Sequence, residues 1–126
     1  MENSEVIAEI KRQCGTVKML PNGWCHFVFQ HLHFVGKPDN ADGMIRMSIP
    51  YVANINAYPR EVADAAINET NREVKYIKVV VLNNGSISLN YDHKVNNEEK
   101  CSETVAHMIT TLYAASEYLN RKLSKR

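Results

Sequence analysis

The sequence predicts an α+β domain in which helices pack on an antiparallel sheet. Apolar residues recur at helical spacing in three segments and alternate as in strands in several others. The strand segments are joined mainly by short turn-forming links, which favour antiparallel pairing. A length of 126 residues with 44% hydrophobic content suits one core. We therefore expect a single domain over residues 1–126 with the order α-β-β-β-α-β-β-α.

The first predicted helix covers residues 4–13, where apolar side chains share one face. Gly15 follows and can take the left-handed conformation that ends many helices. Three strands are predicted next, over residues 16–20, 24–35 and 44–55. Pro50 lies within the third strand. Because proline cannot donate a ladder hydrogen bond, this strand should be an edge there, carry a bulge or end early.

The second predicted strand, over residues 24–35, changes its apolar phase. Phe27 and Phe29 fall on one face of a regular strand, whereas Leu32 and Phe34 fall on the other. A bulge near Gln30 would bring all four apolar side chains to the core. We expect one long, bulged strand.

A second helix and a hairpin follow. Pro59 suits the first position of a helix that runs to about residue 73 or 74, with a small, alanine-rich apolar stripe. Residues 76–95 contain Asn83-Asn84-Gly85 between two strand-like runs. A two-residue turn and a three-residue loop are both compatible with this sequence. The three-residue loop is favoured because it makes one face of the hairpin wholly apolar, with Val81 opposite Ile87 and Val79 opposite Leu89.

The final helix is predicted to begin near Glu98, capped by Asn96 or Asn97, with Glu99 placed for a capping box. An apolar stripe then runs to Leu123.

The composition argues against several classes of protein. Fifteen basic residues and fourteen acidic residues leave a net charge of +1, which does not favour binding to nucleic acid or to a membrane surface. No apolar run approaches the roughly 20 residues of a membrane span. The acidic start lacks the pattern of a signal peptide, so we expect a cytoplasmic protein. The three widely spaced cysteines predict buried thiols rather than a disulfide framework or a zinc knuckle.

The segment Ala66-Ile67-Asn68-Glu69-Thr70-Asn71 resembles the helix motif of the bacterial YbjN family. As in that family, it precedes a strand, an Asn-Gly turn, a second strand and a long amphipathic helix. The order of elements over nearly the whole chain also resembles the type III secretion chaperone fold. This resemblance implies a small homodimeric or partner-binding domain without a known catalytic site.

Apolar residues on predicted open faces are candidates for a homodimer interface or for binding a protein segment. These are Tyr76, Val80 and Leu82 in the hairpin, and Val62 and Ala66 on the second helix. Asn68 and Asn71 lie three apart on one helical face, and we expect them to hydrogen-bond neighbouring backbone.

Two alternative functions involve other residues. His31 and His33 share a face of a regular strand and would hold zinc, nickel or copper if a third ligand converged, from among His93, His107 and Cys25. Basic residues in 121–126 would contact nucleic acid in the second alternative, although such a terminus more often complements the helix dipole. Because no phosphate-binding loop, GxSxG or HExxH motif occurs, we expect a non-enzymatic protein with no cofactor, metal or catalytic residue.

Overall fold

The computed structural model describes residues 1–124, which form three helices and a six-stranded sheet. The helices are α1 (Asn3–Cys14), α2 (Arg60–Glu73) and α3 (Cys101–Ser124). The strands are β1 (Val17–Met19), β2 (Cys25–Phe29), β3 (Leu32–Asp39), β4 (Met44–Asn54), β5 (Lys78–Val81) and β6 (Ser86–Lys94). Short 3₁₀ turns occupy Pro21–Gly23 and Ile55–Ala57. No helix within this described part is long and apolar enough to span a membrane.

The sheet is antiparallel throughout, with the strand order β1-β2-β3-β4-β6-β5. All three helices pack on one of its faces: α1 on β1 to β3, α3 on β4 and β6, and α2 on β5 and α3. Because side chains alternate along a strand, every second residue points into this layer. The largest fully buried side chains include Phe27, Phe34, Met47, Ile49, Leu89, Ile10, Ile109 and Leu112. The predicted α+β architecture is confirmed.

The predicted single strand over residues 24–35 is wrong, because the chain folds back on itself there. Gln30 and His31 have φ values of 50° and 66° and form a two-residue turn between β2 and β3. The turn resets the alternation, so Phe27 and Phe34 are direct cross-strand partners on the helix side, with ring centroids 5.2 Å apart. A hairpin, rather than a bulge, therefore accounts for the change in apolar phase.

The predicted three-residue loop between β5 and β6 is confirmed. Val81 pairs with Ile87 and Val79 with Leu89, and Gly85 has a φ of 87°. This is the left-handed position that follows a type I turn in such loops.

Pro50 marks a bulge inside β4, one of the three outcomes expected of it. The pairing with β6 shifts register between Ile49 and Ala53. The strand itself is interior, lying between β3 and β6.

The last helix begins later than predicted, at Cys101 rather than near Glu98. The residues predicted to cap this helix form a separate turn ahead of it. Asn96 Oδ1 accepts the Glu98 N–H at 2.9 Å, while Glu99 Oε1 accepts the Asn96 N–H at 2.8 Å. Of the basic C-terminal segment, Arg121 and Lys122 lie in the last turn of α3, and residues 125 and 126 lie outside the described residues.

Candidate protein-binding surface

We use the term open face for the side of the sheet opposite the three helices. The alternation that sends Phe27 and Phe34 inward sends their neighbours outward onto this face. Two groups of apolar side chains lie on it. The β2–β3 patch consists of Trp24, Val28 and Val35, and the β5 patch consists of Val80 and Leu82.

The two patches differ from the centre of the open face, which is polar. There, Ser48 and Ser88 both donate hydrogen bonds to Asn90 Oδ1, at 2.9 and 3.0 Å. Arg46 lies 3.8 Å from carboxylate oxygens of Asp39 and Asp42. These groups satisfy one another. The open face therefore offers apolar contact area at its two ends and a self-paired polar strip between them.

Basic groups flank the β2–β3 patch. Lys18 is paired in register with His26 on the adjacent strand, and Lys37 follows Val35 at the next outward position of β3. A Cβ atom added to Gly23 would lie 3.6 Å from Lys37 Cε. The lysine side chain therefore lies beside the turn that precedes Trp24. The patch thus combines apolar area with nearby positive charge.

Tyr76 does not lie on the open face with Val80 and Leu82. Tyr76 has a φ of 71°, and this left-handed backbone turns its ring toward the helix side of the sheet. The ring stacks on Tyr91 with centroids 5.8 Å apart and meets His107 edge-on at 5.5 Å. The prediction that Tyr76 shares a face with Val80 and Leu82 is wrong, although its side chain remains 67% exposed.

The α2 candidates also differ from each other. Ala66 is only 2% exposed and belongs to the core, so it cannot contribute to a surface and that prediction is wrong. Its small side chain lets α2 pack closely against its neighbours α3 and β5. Val62 is half-buried and lies beside Glu61 and Glu69 in a shallow depression between α2 and the end of α3, where Lys122 also lines it.

Asn71 hydrogen-bonds backbone, as expected of it. Its Oδ1 accepts the Val79 N–H at 2.8 Å and its Nδ2 donates to the Val79 carbonyl at 3.3 Å. Because β5 is an edge strand, these two groups would otherwise face outward without a strand partner. Asn68, on the same helix, is exposed, and among residues 1–124 no hydrogen bond from its side chain is formed.

The predicted histidine pair does not form. His31 lies exposed in the β2–β3 turn, whereas the neighbour of His33 is His26, whose Nε2 is 2.9 Å from His33 Nδ1. The expected third ligands are elsewhere, since Cys25 is buried on the helix side and His93 bonds Glu99. Within the described chain, no three His, Cys, Asp or Glu side chains are grouped to hold a metal ion.

The structure also contains a polar cluster next to Tyr76 that the sequence analysis does not predict. The Tyr91 hydroxyl lies 3.0 Å from His107 Nδ1, and burial raises the pKa of Tyr91. Glu99 Oε2 lies 2.6 Å from both His93 Nε2 and Thr104 Oγ1. Burial raises the pKa of Glu99, but the hydrogen bonds from Thr104, the Asn96 N–H and His93 outweigh it, and the net pKa is lowered. Only Glu99 carried a sequence signal, through the capping box.

The cysteines are not placed for chemistry. Cys25 and Cys101 are buried and Cys14 is half-buried. Burial raises the pKa of all three thiols, which keeps them in the unreactive protonated form.

No protein-family model matches the chain, and no curated protein matches it in sequence. Solved structures match it by fold. A chain in the crystal structure of the ExsC–ExsE complex superposes with a TM-score of 0.71 and 11% identity, over 96% of this chain and 92% of that chain. A chain in the HopA1–SchA chaperone–effector complex gives a TM-score of 0.61 and 8% identity, over 95% and 98% of the two chains.

A third solved structure, an uncharacterized protein from Methanothermobacter thermautotrophicus, gives a TM-score of 0.64 and 11% identity, over 98% of this chain and 96% of that chain. At these identities the likeness shows a shared fold. It confirms the predicted secretion chaperone-like arrangement of helices on one face of an antiparallel sheet.

Proposed function

We propose that this protein is a non-enzymatic, chaperone-like module that binds a segment of another protein, and that it works as a cytoplasmic homodimer. The observation that carries the proposal is the open face, where apolar patches lie on the side of the sheet against which none of the described helices packs. The fold is that of chains in an ExsC–ExsE complex and in a chaperone–effector complex, which supports a role in binding protein. Membership of the YbjN family, as one domain over residues 1–126, is part of this proposal.

The two patches suit two different occupants. The β5 patch lies at the edge of the sheet, where Leu82 is 42% exposed. A small domain gains buried area by pairing, and symmetric dimers are the commonest assembly, so we assign this edge to the second copy. Val62, on α2, and Tyr76, which precedes β5, are assigned to the rim of the same dimer interface as part of this proposal.

The β2–β3 patch is assigned to the partner segment. Its apolar side chains would take the apolar side of the segment, and Lys18 and Lys37 would favour acidic residues at its margins. The occupant we propose is therefore an acidic, amphipathic stretch of another protein.

Trp24 provides the test, because it is the only tryptophan of the chain and lies in the β2–β3 patch. Acidic amphipathic peptides are titrated into the protein, and Trp24 emission is followed while light scattering gives the mass. We expect a blue shift that is absent with charge-reversed peptides and with Val28→Asp. We also expect a dimer that Leu82→Asp converts to monomer.

Met19→Asp is the matched control for the dimer, since Met19 is 54% exposed on β1, at the opposite edge of the sheet. It should leave the mass unchanged. A wild-type protein that stays monomeric at high micromolar concentration would contradict the dimer. Emission that responds equally to acidic and charge-reversed peptides would contradict the assigned partner chemistry.

A further inference from the structure

The β2–β3 hairpin brings together two histidines that are separated by seven positions in the sequence. His26 pairs with Val35 in register and His33 pairs with Val28, so the two histidines are diagonal neighbours on the open face. Their rings are stacked with centroids 5.1 Å apart and an interplanar angle of 20°. His26 Nε2 and His33 Nδ1 are 2.9 Å apart. Two ring nitrogens therefore face each other across a pair of hydrogen-bonded strands.

This separation matches that of two imidazole ligands on one metal ion. Metal–nitrogen bonds of about 2.0–2.1 Å at the right angle of a square-planar or octahedral site, the geometry of copper(II) and nickel(II), put the two nitrogens about 2.9 Å apart. The two ring centroids and the two facing nitrogens lie almost on one line, so each nitrogen points at the other. The strands fix the two Cα positions, and binding requires each ring to turn by about 45° so that both lone pairs meet at the ion. Neutral imidazole is a preferred ligand of copper, nickel and zinc.

We propose that His26 and His33 form a two-imidazole site for a divalent late transition metal, with the remaining positions filled by water. In the metal-free pair, one of the two facing nitrogens carries the hydrogen that the other accepts. Metal binding requires a lone pair on both facing nitrogens, so that hydrogen moves to the far nitrogen of the same ring by exchange with solvent. Two neutral imidazoles then bind the ion without net loss of a proton.

The site lies at the edge of the β2–β3 patch, since Val28 and Val35 are the direct cross-strand partners of the two histidines. A bound ion would cross-link β2 to β3 on the open face. Because the folded hairpin holds the two histidines together, the ion would bind it more tightly than it binds the unfolded chain and would raise the thermal stability of the protein. The inference does not depend on the proposed protein-binding function.

Nickel(II) is the probe, because thiols do not reduce it and imidazole binds it. Protein made without a histidine tag is titrated with Ni²⁺ by calorimetry, and its Tm is measured with and without the ion. We expect one Ni²⁺ per chain and a rise in Tm. His26→Ala and His33→Ala should each weaken binding about tenfold or more and abolish the rise in Tm.

His31→Ala is the matched control. His31 is an exposed histidine two residues from His33, but the turn holds it outside the pair. It should bind Ni²⁺ as the wild type does. Cys14→Ser should also leave the affinity unchanged, which excludes the half-buried thiol as a ligand. The proposal is overturned if wild type binds no Ni²⁺, if His31→Ala weakens binding as much as His33→Ala, or if His26→Ala has no effect.

Discussion

The contact between Asn71 and Val79 permits a sharp test of how the edge of the sheet is held. Asn71 supplies both an acceptor and a donor to the Val79 backbone, at 2.8 and 3.3 Å, so its amide takes the place of a neighbouring strand. Asn71→Ala removes both hydrogen bonds. Each is worth about 0.5–1.5 kcal/mol net, which gives a loss of about 1–3 kcal/mol in the free energy of unfolding.

Asn68→Ala is the matched comparison, because it makes the same substitution on the same helix at an exposed position. Alanine favours the helix more than asparagine does, and this gain in stability is shared by both variants, so most of it cancels in the difference between them. We expect Asn71→Ala to be less stable than Asn68→Ala by about 1–3 kcal/mol in urea unfolding, with a Tm lower by roughly 5–10 °C. Equal unfolding free energies for the two variants would refute the argument that Asn71 holds the edge strand.

Two further predictions concern Glu99 and Gly85. Because the pKa of Glu99 is lowered in the folded protein, its carboxylate stabilises the fold above the usual pKa of about 4.5. This stabilisation is lost as the pH falls through the lower pKa of the folded state. Glu99→Gln should therefore cost about 1–3 kcal/mol at pH 7 and progressively less below pH 4, measured by denaturation across pH; a cost independent of pH contradicts this. Gly85→Ala should be more destabilising than Gly43→Ala in thermal melts. Both glycines have positive φ, but only at Gly85 would the new Cβ meet an atom within 4 Å, Asn54 Oδ1 at 2.9 Å. Equal losses for the two glycine variants would contradict a role for crowding.

The two hairpins show why one part of the fold was predictable and another was not. The β5–β6 register follows from Gly85 and from the alternation of Val79, Val81 and Leu89, because only one register buries an entire apolar face. The β2–β3 turn consists of Gln30 and His31, neither of which is the glycine or asparagine that such turns favour. Its only signal was the change of apolar phase, which a bulge explains equally well.

Two errors in the candidate site arise at backbone irregularities that the sequence did not indicate. Without the turn at Gln30 and His31, nothing in the sequence brings His26 next to His33. Tyr76 was misplaced because strand alternation predicts its side, while the structure has a left-handed backbone there. Local periodicity identifies which residues are apolar, but the direction of a side chain at a backbone irregularity depends on tertiary packing.

The separation of the sheet into a helix-packed face and an open face has a consequence for how such a protein changes over time. Inward positions such as Phe27 and Leu89 are constrained by volume, whereas outward neighbours such as Val28 and Asn90 are not packed against a helix. Recognition can thus diverge by substitution at every second residue while the scaffold keeps its shape. A chain and its structural neighbours can share an architecture at 8–11% identity under this arrangement.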